Sequence, residues 1–389
     1  MKTLIYFYER YIAPTGGPSG YLWNLKSCRD ERADKEISFL NEEDFKPFLT
    51  YRIRHKIHSL HNRKTELSAK AARISEILYQ SGQKGPFDLG DYDIVHFHST
   101  FDLYSQKTNL EDYHGKVILT SHTPKRPYNE YVEDILTREE YEQDKELFDR
   151  TAEFDEYAFR RCDYIIFPCK DAEEPYYHTW DKYPDIRDER KHIYLPTGVP
   201  GISARKDASQ VRRELGISDN RFVICYVGRH IPVKGYDRLI SIFGKLENVT
   251  VICCGRPGDI PAPESKDWIE IGWTDDPYSY VNAADLFILP NRETYFDLSL
   301  LETISLGKRC LISLTGGNKT FAGREDCGIY TFSTEDEAAE LIRRLMNDGP
   351  EVIASQLKAQ NALYCEKYTL DIFYDRYKEI LRRISNESR

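Results

Sequence analysis

Short apolar runs recur along the chain, each followed by a turn and a longer stretch with helical character. They read TLIYFY at 3–8, DIVHFH at 93–98, KVILTSH at 116–122 and DYIIFP at 163–168, then RFVICYVG, NVTVICCG, DLFILP and KRCLIS. Apolar strands alternating with helical segments predict an α/β fold, with parallel sheets covered by helices on both faces. The series pauses in KHIYLPTGVPGISARKDAS, residues 191–209, where Pro196, Gly198, Pro200 and Gly201 punctuate the chain, and resumes at Arg221. An interdomain linker is expected there, separating two Rossmann-like domains of residues 1–200 and 201–370. Length agrees: 389 residues exceed the ~250–300 at which a single core stops growing.

Charge narrows the class of partner. A formal net charge of −10 argues against general nucleic-acid binding, which needs an excess of Lys and Arg to neutralise phosphates. Any anion must be met locally. One local exception is residues 51–75, with seven Lys or Arg, three His and a single Glu. The alternatives are a solvated helical face and a surface for anionic lipid or a lipid-linked phosphate.

Nine cysteines form no CxxC pair, and several sit in apolar runs such as VICC. Reduced, buried thiols are expected, with no zinc site. The opening MKTLIYFYERY has a very short apolar run broken by Glu9 and Arg10, unlike the longer core of a signal peptide. No run approaches the ~18 apolar residues of a membrane-spanning helix. A cytoplasmic protein, at most peripheral to a membrane, is the expectation.

Four segments hold candidate chemistry. In the first, a strand leads through Gly16-Gly17-Pro18-Ser19-Gly20 into a helix, an arrangement that lets a ligand approach the backbone and unpaired amides; an ordinary strand-to-helix turn fits equally. In YVGRHIPVKG, residues 226–235, a strand delivers Arg229 and Lys234 into a loop. Ligands of open α/β sheets bind beyond the carboxyl ends of strands, so these cations suit a diphosphate, with a solvated turn as the alternative. His122 closes the run KVILTSH, another carboxyl edge, and is either structural or functional. In RETYFDLSLLETISLG, residues 292–307, three acids crowd a loop and helix start. Asp297 is the expected N-cap, accepting amide hydrogen bonds, and the helix should stop at Gly307.

Taken in order, these segments resemble the retaining glycosyltransferase family 4. DYDIVHFHS, TSHTP, CDYIIFPCK, YLPTGVP, IEIGWTDD and DCGIYTFSTEDEAAELIRRL add to the likeness, which spans essentially the whole chain. The resemblance implies the GT-B architecture, two Rossmann-like domains with parallel sheets facing across a cleft. It implies that the second domain holds a nucleotide-sugar donor and the first an acceptor, with LDIFYDRYKEILRRI within a closing helix, 371–389, that joins the first domain. By motif position, Arg229 and Lys234 would neutralise the donor diphosphate, helped by backbone amides from Asp297 through Leu298 to Ser299. Glu302 would accept the ribose hydroxyls, and Arg256 and Trp273 would border the base. Gly16 and Gly17 would touch phosphate and sugar, and His122 the sugar ring. The implied chemistry is a hexose transfer with no metal and no separate cofactor, from a uridine-linked donor to a glycan or lipid-linked saccharide. Asp91 and Asp93 are then structural.

One departure matters. The family loop reads Glu-Gly-Phe-Gly-Leu-x-x-x-Glu; with Glu302 as anchor, its first acid falls on Thr294 and its glycines on Tyr295 and Asp297. The sugar hydroxyls would then be met by Asp297 or Glu293, with Thr294 adding a weaker hydrogen bond. Two other classes compete: a noncatalytic GT-B partner that binds glycan, and a GT-B epimerase or phosphorylase. The presence of Arg229, Lys234, Glu302 and His122 argues against the noncatalytic partner, and the order of motifs against the other enzymes.

Overall fold

The computed structural model describes residues 1–7, 12–14, 17–40, 53, 56, 67–85, 87–218 and 220–387. Gly16 and most of the basic stretch 51–75 lie outside the described residues. Backbone proximity divides the chain into two compact units. One comprises Met1–Pro168, Pro175–Leu195 and Tyr374–Arg389; the other comprises Cys169–Glu174 and Pro196–Phe373.

The first unit is built on six parallel strands: β1 (Thr3–Tyr6), β2 (Ile37–Leu40), β3 (Ile94–Phe97), β4 (Lys116–Leu119), β5 (Tyr164–Phe167) and β6 (His192–Tyr194). Their order is β2-β1-β3-β4-β5-β6. The second unit repeats the plan with β7 (Phe222–Val227), β8 (Val249–Cys254), β9 (Trp268–Gly272), β10 (Leu286–Leu289), β11 (Cys310–Ser313) and β12 (Ile329–Phe332), in the order β12-β11-β10-β7-β8-β9. This is the α/β, two-domain Rossmann-like GT-B fold. Each sheet has one point where the strand succession reverses, between β1 and β3 in the first and between β7 and β10 in the second. Ligands of doubly wound sheets settle beyond the carboxyl ends of the strands at that point.

Alternating side chains show why the strands are apolar throughout. On β7, Val223 and Cys225 face one core while Ile224 and Tyr226 face the other; on β8, Ile252 and Cys254 oppose Val251 and Cys253. Both faces are dry, so neither register position tolerates a charge. The cysteines serve as small apolar fillers in these layers. All nine are free and seven are buried, whereas Cys365 is exposed, against the expectation of burial.

Two details differ from the sequence reading. The stretch taken as linker opens with β6, whose register is Ile165↔His192, Ile166↔Ile193 and Phe167↔Tyr194. Only Ile193 of its three residues is buried, so this edge strand offers no apolar run to detect. The strand expected to run to His122 stops at Leu119, and His122 itself adopts φ 61°, a left-handed conformation uncommon for a side-chain-bearing residue.

The helix Leu370–Asn386 begins in the second unit and counts with the first from Tyr374 onward. There Lys378, almost fully buried, pairs with Asp34 at 2.7 Å and also with Glu36. Among the described residues no helix is long and apolar enough to cross a membrane.

Candidate active site

At the switch point of the second sheet, two loops are forced together. The loop after β7 makes a single helical turn at Pro232–Lys234 and closes on Gly235, with φ 68°. A Cβ on Gly235 would overlap the carbonyl oxygen of Pro290, in the loop after β10. Only glycine satisfies both the left-handed backbone and this close approach. Arg238, buried one turn further on, donates from Nη1 to the carbonyl of Asn291 at 3.2 Å and from Nη2 to that of Ser333 at 2.9 Å. It thereby locks the β10 loop from beneath.

The consequence is a compact polar knot. Lys234 Nζ lies 2.6 Å from Asp297 Oδ1, and Asp297 Oδ2 accepts hydrogen bonds from Thr294 Oγ1 at 2.6 Å and Asn291 Nδ2 at 2.5 Å. Asn291 and Thr294 are 0% and 1% exposed, so the two neutral donors have no alternative partner in water. Burial pushes the Asp297 carboxyl upward, but the Lys234 ammonium and the three hydrogen bonds outweigh it and hold the group below the usual carboxylate range. Asp297 is therefore a charged, anchored anion.

This corrects the reading of Asp297 as a hydrogen-bonding cap. It does occupy the residue before helix Leu298–Leu306, with extended backbone, yet its side chain makes no capping hydrogen bond. The first amides of a helix have no partner within it, and Leu298 and Ser299, half-buried, supply that first turn. Cap propensity was outbid by an ammonium and two buried donors that converge from the loops.

Glu302 lies one turn into the same helix. Burial raises its carboxyl, opposed by a short hydrogen bond that Tyr278 Oη donates to Oε2. Tyr278 belongs to helix Pro277–Ala283, and nothing in the sequence marked it. Arg229 and Arg256 are exposed, and Trp273 is 65% exposed, an unusual display for a large aromatic ring. Glu293 is half-buried. The knot thus unites Lys234, Thr294 and Asp297, while Glu302 engages Tyr278.

A second unpredicted set braces the Arg229 loop. His230, 3% exposed, stacks on Tyr236 with ring centroids 4.0 Å apart and planes 6° from parallel. Glu270 accepts hydrogen bonds from Trp268 Nε1 at 2.6 Å and from Tyr236 Oη, and its other oxygen lies 3.5 Å from His230 Nε2. Burial lowers the His230 pKa against the pull of Glu270.

In the first unit, strand β3 and the loops beyond β3 and β4 bring three histidines together. His98 Nδ1 and His122 Nε2 share a hydrogen bond of 2.8 Å, with the rings stacked at 5.1 Å. His96 bonds Tyr377 Oη through Nδ1 and Thr120 Oγ1 through Nε2, each at 2.9 Å. Tyr21, from helix Gly17–Glu31, meets the His122 ring edge-on at 4.8 Å. Burial pushes His96 and His122 down to about 3 and His98 well below its ordinary value. All three are neutral near pH 7, and the shared bond engages His122 Nε2, directing its Nδ1 to any other partner.

Known proteins share this fold and part of this sequence. HepE from Anabaena, solved with UDP and glucose, is 14% identical, with a TM-score of 0.62 over 98% of this chain and 99% of that one. Sucrose-phosphate synthase from Thermosynechococcus elongatus is 12% identical, with a TM-score of 0.66 over 99% of each chain. The D-inositol 3-phosphate glycosyltransferase of Salinispora arenicola is 24% identical over 221 residues, 50% of this chain and 48% of that protein. The chain thus spans about half the length of this curated relative. Residues 207–362, all within the second unit, match the family model described as Glycosyl transferases group 1.

Proposed function

We propose that this protein is a nucleotide-sugar-dependent glycosyltransferase that moves a hexose with retention of anomeric configuration, without a metal, to a glycan or lipid-linked saccharide. The observation that carries the reading is the convergence on the switch point of the second sheet. Lys234, the uncapped helix start at Leu298–Ser299 and Glu302 all lie beyond β7 and β10, inside the segment that matches the group 1 glycosyl transferases.

Breaking a glycosyl–diphosphate bond leaves negative charge on the departing oxygen and positive character on the sugar carbon. Lys234 and Arg229 would meet the diphosphate as cations, and the amides of Leu298 and Ser299 as fixed dipoles that need no reorganisation. Glu302, with one oxygen held by Tyr278, would accept ribose hydroxyls through the other. His122, neutral and hydrogen-bonded to His98, would contact the sugar ring. The acceptor would attack from the face that the leaving group vacates, and the departing phosphate would take its proton. Trp273 and Arg256 would border the base, with uridine as the first candidate.

Incubation with a panel of nucleotide sugars, followed by nucleoside diphosphate release and calorimetric binding, tests the proposal. Release from one donor, at a rate raised by a saccharide acceptor, is expected. Absence of binding and hydrolysis across the panel would sink it, and binding without turnover would favour a noncatalytic partner.

A further inference from the structure

The knot around Lys234 poses a problem for a diphosphate site: its half-buried cation is already paired with a carboxylate from the neighbouring β10 loop. We infer that Asp297 is a specificity-determining residue that discriminates the released nucleoside diphosphate from the nucleotide-sugar donor, and so drives product release. This rests on the donor-site reading above.

Geometry makes the conflict unavoidable. Asp297 Oδ1 lies 2.6 Å from Lys234 Nζ, and its Oδ2 is held by Thr294 and Asn291. Both neutral donors are buried, so swinging the carboxylate away would strand them. A phosphate oxygen held by Lys234 must share the ammonium with Asp297, which puts two anions about 5 Å apart. An ammonium has three donors, so the shared arrangement is chemically sound. Its net charge contribution, however, is close to zero. Attraction for the ligand is left to Arg229 and the helix-start amides.

Ligand charge then decides which complex suffers. The diphosphate of a donor is esterified at both ends and carries two negative charges. Transfer of the sugar frees a terminal phosphate with a second ionisation near pH 6, roughly. While that oxygen retains the proton taken from the acceptor, its charge matches the donor's. Once the proton passes to solvent, a third negative charge appears beside Asp297. The repulsion is therefore stronger on the product after chemistry than on the donor before it.

Binding of UDP and UDP-glucose, followed by calorimetry from pH 5.5 to 7.5 in the wild-type chain and in Asp297→Asn, tests the inference. Asn preserves the shape and an acceptor for Thr294 while removing the charge. Asp297→Asn should bind UDP roughly tenfold tighter at pH 7.5, the effect of one charge at this distance in a partly wet site. UDP-glucose affinity should rise by a smaller factor. In the wild-type chain UDP affinity, relative to UDP-glucose, should stay flat or fall as pH rises through 6; in Asp297→Asn it should rise. A wild-type ratio that rises with pH, or one that Asp297→Asn leaves unmoved while both ligands bind, overturns the inference alone. Absence of all nucleotide binding by the wild-type chain overturns both it and the donor-site reading. Should Asp297→Asn fail to fold, the sign of the wild-type pH dependence decides.

Discussion

Mild acid should destabilise the first unit through its neutral histidines. His96 and His122 are held at about 3 in the folded chain, chiefly by burial. In the unfolded chain each would titrate near 6.5, roughly. A proton taken up only on unfolding favours unfolding, so stability is complete above that value and is lost as pH falls below it. At pH 5 the loss is about 2 kcal/mol for each ring, or about 4 kcal/mol for the pair. His98, displaced in the same direction, adds to it. Asp155 opposes the trend: burial raises it to about 6, and protonation in the folded state returns about 1 kcal/mol at pH 5. Carboxylates held below their ordinary range, such as Asp34 and Glu133, contribute only below about pH 4.5. The window from pH 7.5 to 5 therefore reports the histidines net of Asp155. Urea titrations read by pulsed hydrogen exchange, in peptides covering 94–98 and 116–122, should show a net loss of about 3 kcal/mol or more over that window. A loss under about 1 kcal/mol would mean that the rings accept protons in place, and the tight neutral stack would be wrong.

Two further substitutions probe the second unit. Gly235→Ala combines a strained left-handed backbone with overlap at Pro290, so it should cost at least about 2 kcal/mol and weaken nucleotide binding together with stability; denaturation that matches wild type would refute the forced contact. Glu302→Gln should weaken nucleotide binding by roughly tenfold through loss of charged hydrogen bonds to ribose. A 2′,3′-dideoxynucleotide should bind both forms equally, and an undiminished penalty with that ligand would remove Glu302 from the ribose.

What the sequence disclosed, and what it hid, follows the range of the interactions involved. Near-continuous runs such as RFVICYV announce strands because both faces are dry, and the eye needs only neighbours in sequence. ISFL at 37–40 and HIY at 192–194 escaped because the edges of the first sheet bury few of their side chains. The site divides along the same line. The helix stop at Gly307 was legible from the local pattern, yet the fate of Asp297 depended on a lysine 63 residues away. Local propensity alone made it a cap, and no local rule brings Asn291, Thr294 and Lys234 onto one carboxylate. His98 was hidden in the same way. Its partner stands 24 residues on, and the two meet because β3 and β4 are adjacent in register, with His96 opposite Ile118. Such pairings are set by topology, so a sequence reveals the residues that a fold makes available but not which of them it makes neighbours. Where a motif departs from the family it resembles, as at Asp297, that distinction matters most: the residue's contacts in the folded loop, with Lys234, Thr294 and Asn291, are not those that local propensity predicts for its position.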